Sequence, residues 1–465
     1  METGLLPMPL ADTDPTPRNR VTFRTIGCKL NQCETAQMQE ALVAEGYRLV
    51  DWDMPADIRV INTCTVTSRS DKTCRNEIRH AKRLDPDCFV AVTGCYAQVD
   101  ADAIAAIPGV DLVLGNLDKA GLAAHLRERL DGHGAGPGGA GAPLVVVSPY
   151  LERPRFESES FTHFHGYTRA FLKIQTGCDS RCAYCVIPLA RGPACSMPKD
   201  EVLAQVQLLA TRHYREVVLT GINLGSWGKG AGEGSLADLL AVLVDQGGAG
   251  RYRLSSIEPL ETDEALQQVI LQAGDRVAHH FHLPLQSGTD SVLRRMNRPY
   301  TAAQYLEIAE SLGRRFPDAA IGADLIAGFP GETDEEFEST LSFVEHTPLT
   351  YLHVFSYSDR PRTAASALRP KVSPETIHAR TMLLRALGER KKAAFHEKLI
   401  GTEQRVLVLS QRASDGRLVG LSGNYLEVLL RGDDSLMNEF AWAKIERSLE
   451  DGRAEGSITR REGGS

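Results

Sequence analysis

Short apolar runs that end on Gly, Thr or Asn recur along the chain. Between them lie longer stretches whose apolar positions return every three or four residues. The first kind reads as buried parallel strands, the second as amphipathic helices. VTFRTIG (21–27), IRVINT (58–63), CFVAVTG (88–94) and DLVLG (111–115) alternate with the helical stretches TAQMQEALVAEG, SDKTCRNEIRHAKRL and LDKAGLAAHLRERL. This alternation predicts a doubly wound parallel sheet over residues 21–130, preceded by a disordered N-terminus, 1–20. DGHGAGPGGAGAP (131–143) breaks all periodicity and opens a linker expected to run to residue 163.

A second series follows: FLKIQTG (171–177), EVVLTG (216–221), YRLSSI (252–257), HFHLPL (280–285), AAIGADLI (319–326) and YLHVFSY (351–357). Helical patterns near 199–213, 235–246, 262–274, 287–296 with 301–315, and 333–346 separate these runs. Six such units predict a partial (β/α)6 barrel over 164–398, ending in the charged helical run 374–399. VLVLSQ, GRLVG and YLEVLL then read as short strands of a small β-barrel over 399–448, and residues 449–465 are expected to be disordered. The expected class is α/β: a doubly wound parallel-sheet domain, a central partial barrel and a small C-terminal β-barrel.

Composition narrows the chemistry. No run of 18 apolar residues exists, and the first 20 residues lack a basic segment followed by an apolar one, so the cytosol is the expected compartment. In that reducing setting, a patterned subset of the ten cysteines reads as metal ligands or catalytic thiols rather than disulfides. A net charge of −8 excludes a globally basic nucleic-acid binder, so any RNA contact has to be local.

Cys178, Cys182 and Cys185 form a C-x3-C-x2-C loop directly after a strand, which places three sulfurs at the C-terminal mouth of the barrel. Structural zinc wants four protein ligands. His165 or Cys195 are at hand, but neither stands at the usual paired spacing. Three thiolates suit an iron–sulfur cluster with one iron left open. A second trio, Cys28, Cys64 and Cys95, follows three strands of the first domain, whose C-terminal ends form a ligand crevice. These are either ligands of a second cluster or small buried residues. Their recurrence at equivalent strand ends favours the cluster. Cys33, Cys74, Cys88 and Cys195 fit no ligand pattern.

The C-x3-C-x2-C loop resembles that of the radical S-adenosylmethionine superfamily. The resemblance implies a four-iron, four-sulfur cluster on Cys178, Cys182 and Cys185, which are then also the catalytic residues. Its open iron would chelate the methionine moiety of S-adenosylmethionine, and one-electron reduction would release a 5′-deoxyadenosyl radical. GCKLNQCET, NTCTVT and TGCYAQ resemble the N-terminal signatures of the methylthiotransferases, which implies a second such cluster on Cys28, Cys64 and Cys95. NTCTVT, HFHLPLQSGTDSVLRRMNRPYT, ADLIAGFPGET and HVFSYSDRPRTAAS most resemble the branch acting on N6-threonylcarbamoyladenosine at position 37 of tRNA. That branch inserts sulfur and methyl at carbon 2 of the base.

Isopentenyladenosine tRNA or a ribosomal-protein aspartate would be handled by the same cofactors. A non-catalytic iron–sulfur RNA-binding sensor or electron carrier is the alternative of another class. The implied partners are the tRNA anticodon stem-loop and an electron donor such as flavodoxin or ferredoxin, with the sulfur donor unassigned and no membrane. GLSGNYLEV resembles the TRAM domain, a small RNA-binding barrel. The chain departs from the family at Cys33, at RGPACS where an Arg-rich RGRxRS is usual, and at RPRT, where Arg362 replaces a Gly.

In TGIN, Gly221 lets backbone approach a ligand and Asn223 is placed to bind the methionine amine. Ser256, Glu258, Gln286 and Asp324 stand at or near strand ends and are candidates to bond ribose, carboxylate or substrate. Glu258 serves equally as an internal salt-bridge partner, and Gln286 and Asp324 as helix caps near Ser287 or Thr333. For tRNA phosphates, the helix after Cys64 offers Arg69, Lys72, Arg75, Arg79, Lys82 and Arg83, and Arg390, Lys391 and Lys392 form a second patch. A solvated face softened by Glu77 and Glu389 is the plain alternative.

Overall fold

The computed structural model describes residues 19–131, 142–151, 155–156, 161–164 and 167–462. Arg48–Leu49, Arg20–Thr25, Ile58–Thr63, Phe89–Gly94, Leu112–Leu114 and Leu144–Val146 form, in that spatial order, one fully parallel sheet. Ile58–Thr63 and Phe89–Gly94 are buried at every position, as befits central strands of a sheet with both faces covered. Leu144–Val146 falls where a linker was expected. It is a three-residue edge strand, too short for its pattern to stand out beside the Gly/Pro/Ala segment, of which 132–141 lie outside the described residues.

Ala170–Lys173, Glu216–Thr220 and Arg251–Leu254 form one parallel triple, and His280–His282, Ala320–Ala327 and Tyr351–Ser356 another. The triples adjoin where the Ile257 N–H donates to the His282 carbonyl at 3.0 Å. The covering helices begin on side chains that accept their free amide N–H groups: Ser235, Thr301, Thr333 and, for the long helix Pro374–Leu399, Ser373.

The first barrel strand and the last do not pair. The helix Lys29–Ala44 of the N-terminal domain lies against Ala170–Lys173 instead. Its Cys33 and Ala36 enter the barrel core, while Met38 and Leu42 enter the core of its own sheet. With both sides covered, even Asn31, Glu34, Thr35 and Gln37 are buried.

Five strands close a C-terminal barrel in the order Glu403–Arg412, Leu418–Ser422, Glu427–Leu430, Ala454–Arg461, Phe440–Ser448. Ala454–Arg461 corrects the expectation of a disordered tail. It pairs antiparallel with Phe440–Ser448 and parallel with Glu427–Leu430, which removes the sheet's edges. Its inward positions include Ala454 and Gly456, too small to print a hydrophobic alternation. A Cβ on Gly456 would lie 2.5 Å from the Lys444 carbonyl.

This barrel docks under the N-terminal ends of the partial-barrel strands. The buried Glu216 carboxylate receives Arg169 at 3.3 Å, Arg253 at 2.9 Å and Arg251. Arg251 and Arg253 donate onward to the carbonyls of Arg405 (3.1 Å), Leu421 (2.8 Å), Ser422 (2.9 Å) and Gly423 (2.7 Å). Burial pushes the Glu216 carboxyl up, but the three guanidiniums outweigh it and hold the group well below the usual carboxylate range.

Candidate functional site: two thiol loops facing each other

Cys28, Cys64 and Cys95 each follow one of three neighbouring strands. Their loops touch. At Gly27 (φ +106°) a Cβ would lie 2.7 Å from the Cys64 Cβ, and at Gly94 (φ +101°) 2.5 Å from the Thr63 backbone. Cys28 is exposed, whereas Cys64 and Cys95 are buried. Burial pushes the Cys64 thiol up to about 11, with Cys95 and Cys28 adding to the effect. Asn31 ties the loops together by donating to the carbonyls of Ile26 at 2.7 Å and Thr63 at 2.9 Å. Asn62 returns a bond to the Asn31 carbonyl at 2.9 Å.

The barrel thiols sit on a loop folded back by a two-residue pairing of Gln175–Thr176 with Cys195–Ser196. The Cys178 N–H donates to Gly192 O at 3.0 Å, and the Cys185 N–H to Cys182 O at 3.1 Å. A Cβ on Gly177 would fall 1.8 Å from Pro193 O, so this close approach requires glycine. All three thiols are half-buried, and burial pushes Cys185 up to about 12. Arg298, 3.2 Å from the Cys182 sulfur, also pairs with Glu258 and donates to the Tyr300 hydroxyl at 3.0 Å.

A single zinc with Zn–S bonds of about 2.3 Å would bring its sulfurs to within about 4 Å of one another. Among the described residues, the three-ligand group whose atoms all lie within 4.8 Å is His282, Asp324 and His353, not either thiol trio. Neither trio is gathered closely enough for a single zinc, and three thiolates without a fourth protein ligand suit an iron–sulfur cluster with one iron left open. Of the zinc alternatives, His165 lies outside the described residues and Cys195 belongs to the hairpin. Cys33 packs into the barrel core, Cys74 lies 3.4 Å from the Cys64 backbone, and Cys88 is buried in the N-terminal core.

Arg191 joins the two loops. It ends the short helix Ile187–Arg191 after the barrel thiols, is buried, and donates from Nε to the Cys95 sulfur at 3.2 Å. Its other nitrogens reach Glu34 and Asn31. Glu34 also receives Lys119 at 2.6 Å and Lys173 at 3.4 Å. Burial pushes the Glu34 carboxyl up, and the three cations override this to hold it well below the usual range. Three cations and one carboxylate leave positive charge beside the thiols of Cys28, Cys64 and Cys95.

Gly221 and Asn223 pack against Gln175, whose side-chain oxygen accepts the Asn223 N–H at 2.9 Å. Glu258 pairs with Arg298. Ser256 bonds His282 Nδ1, and Asp324 lies 3.0 Å from His282 and 3.4 Å from His353. Asp324 is therefore not a helix cap; Thr333 caps its own helix. Gln286 sits at φ +68° and exchanges backbone bonds with Asp324 and Ile326.

On the helix Ser68–Leu84, Arg69, Lys72, Arg79 and Arg83 are exposed. Two of the expected phosphate contacts are otherwise engaged. Arg75 donates to the Tyr96 hydroxyl at 2.8 Å, and Lys82 to the Cys88 carbonyl at 2.5 Å. In the second patch, Arg390 pairs with Glu345, and Lys391 bonds the Glu345 and Thr347 carbonyls.

Sequence reasoning missed Arg191, Glu34, Arg298, His282 and His353. Each lay within or near a quoted motif, but only the fold supplies its partner. Arg360, in the RPRT turn, likewise reaches Asp71 and Thr65 beside Cys64. Arg362 takes φ +67° there, a conformation that the glycine it replaces would adopt freely, and donates to Val99 O.

Residues 20–115 match the model of "Uncharacterized protein family UPF0004", and residues 172–344 that of the Radical SAM superfamily. The threonylcarbamoyladenosine tRNA methylthiotransferase MtaB of Aquifex aeolicus is 38% identical over 89% of this chain and 97% of its own. The tRNA-2-methylthio-N(6)-dimethylallyladenosine synthase of Methylobacillus flagellatus is 32% identical over 92% of this chain and 97% of its own. Among solved structures, the radical S-adenosylmethionine methyltransferase TsrM of Kitasatospora setae shares the fold. Its TM-score is 0.51 at 16% identity, covering 84% of this chain and 81% of that one.

Proposed function

The chain belongs to the tRNA methylthiotransferases of the radical S-adenosylmethionine superfamily, and from that premise we propose that it acts on N6-threonylcarbamoyladenosine at position 37 of tRNA, adding a methylthio group at carbon 2. The observation that carries the reading is the pairing of two three-thiol loops through Arg191. Cys178, Cys182 and Cys185 hold one four-iron cluster with S-adenosylmethionine, and Cys28, Cys64 and Cys95 hold a second. When bound, the first supplies the electron that cleaves S-adenosylmethionine and the second a place for the sulfur to be transferred.

The chain's own residues position and insulate. Arg298 gives the Cys182 sulfur a charged hydrogen-bond donor and is held in place by Glu258. Asn223 Oδ1 is buried without a hydrogen-bond partner, ready to accept from the methionine ammonium beside Gly221. Arg69, Lys72, Arg79 and Arg83 meet phosphates of the anticodon stem-loop, whose unstacked loop base can be splayed into the barrel. A donor such as flavodoxin or ferredoxin supplies the electrons, and the sulfur donor is unassigned.

In nucleosides from cells lacking the protein, the 2-methylthio form of threonylcarbamoyladenosine should vanish and its precursor accumulate. Loss of the methylthio-isopentenyl nucleoside instead would move the chain to the neighbouring branch, and no change would refute a tRNA substrate. For the clusters, reconstituted protein should hold about eight irons, and the joint change Cys28→Ala, Cys64→Ala and Cys95→Ala should leave about four.

A further inference from the structure

A cavity of about 510 Å³ lies at the open side of the partial barrel, within the size range of ligand pockets. Lys29, the residue after Cys28, enters it from the N-terminal domain, and Ser256 and His353 from the barrel. Lys392 enters from the long helix and Tyr425 from the C-terminal barrel. The cavity thus lies where the N-terminal domain, the partial barrel and the C-terminal barrel meet.

Its lining carries two ammonium groups, Lys29 and Lys392, in a chain whose net charge is −8. Among the described residues, no carboxylate lies within 4.0 Å of Lys29 or Lys392, and Glu389 is the single acidic residue of the lining. Two wall groups respond to cations in and behind the wall. Burial pushes the Tyr425 phenol up, yet Arg253, Lys29 and Arg169 bring it down to about 8, with the Lys29 ammonium 5.7 Å from the ring. His280 is driven well below the usual histidine range by burial, then by Arg253, His282 and Lys29.

The two tRNA substrates of this chemistry differ in the group on N6. A threonylcarbamoyl group carries a carboxylate, a hydroxyl and a urea, whereas an isopentenyl group is wholly apolar. An apolar group here would leave the Lys29 ammonium desolvated and without a carboxylate, the situation in which a polar site rejects an analogue most strongly. We propose that this cavity receives the N6 substituent of the substrate adenine and that the Lys29 ammonium pairs with its carboxylate, making Lys29 a determinant of specificity. The inference deepens the substrate reading above and rests on it.

The test uses the reconstituted full chain and three anticodon stem-loop RNAs bearing threonylcarbamoyladenosine, its neutral carboxamide, or isopentenyladenosine. For the wild type, the carboxamide should raise KM about tenfold or more over the acid. Lys29→Ala should raise KM for the acid by a similar factor and leave KM for the carboxamide within about twofold of wild type, so that the two losses do not add. Lys29→Arg should recover most of the loss on the acid. His353→Phe, which makes the lining more apolar, should reduce the preference for the threonylcarbamoyl RNA over the isopentenyl one. Iron content, measured on each variant, separates a lost pairing from a lost cluster.

Equal KM for acid and carboxamide in the wild type would overturn the proposal without any variant. An unchanged KM on the acid in Lys29→Ala would remove Lys29 from the role. A wild type that modifies only the isopentenyl RNA would instead overturn the substrate reading beneath it.

Discussion

Glu34 and Glu216 are both buried carboxylates at domain junctions, and each gathers three cations. They are completed differently. At the barrel floor, Arg251 and Arg253 pass their remaining N–H groups to four backbone carbonyls of the C-terminal barrel, so the charge around Glu216 ends in a closed hydrogen-bond lattice. At the mouth, Arg191 spends a donor on the Cys95 sulfur, and the cations around Glu34 stay in excess next to three thiols. One arrangement fastens two domains. The other stores positive charge where thiolate ligands would meet it, since a thiolate is stabilised by a neighbouring cation.

Breaking the floor should have the largest effect. Glu216→Ala leaves three guanidiniums without their carboxylate and should cost about 3–5 kcal/mol. Calorimetry should show a large fall in Tm, whether or not iron is bound.

Glu34→Gln sharpens the contrast. It should cost less, about 1–3 kcal/mol for the weakened bonds, and the loss should shrink when iron is loaded, because bound thiolates then balance Arg191, Lys119 and Lys173. Equal losses in the apo and loaded chains would mean that Glu34 merely fastens, as Glu216 does.

The smallest effect concerns Tyr425, which shares Arg169 and Arg253 with the Glu216 cluster. Its phenol ionises near pH 8 in the folded chain against 10 for the free group. Between those values the unfolded chain holds the extra proton, so stability should rise with pH from about 8 to about 10. Ultraviolet titration of the wild type against Tyr425→Phe should isolate that step.

Much of this was legible in the chain because both thiol trios directly follow strands, and strand ends can be read from short apolar runs. The six barrel strands were found on the same ground. The partners were not legible. Arg191 meets Glu34 across 157 residues and Arg298 meets Cys182 across 116, and nothing local in LARG or MNRPYT points to such distances. The basic helix after Cys64 read as a uniform phosphate-binding face, but Lys82 turns inward to a carbonyl that the pattern of charges cannot reveal. Ala454–Arg461 was missed for a different reason. A strand that faces its core with Ala and Gly has the composition of a tail, and only its closing position in a small barrel gives it structure.

The helix Lys29–Ala44 also constrains how the chain is made. Its Cys33 and Ala36 face a barrel whose first strand begins at Ala170, so during synthesis that surface waits for roughly 130 more residues. At an elongation rate of about 5–20 residues per second, the wait is on the order of 6–25 seconds, long compared with the folding of a small domain. The nascent N-terminal domain therefore emerges with an unfinished flank, rich in buried polar groups rather than large apolar ones. Glu34, whose partners Lys173 and Arg191 belong to the later segment, keeps that flank hydrated until the barrel arrives to cover it.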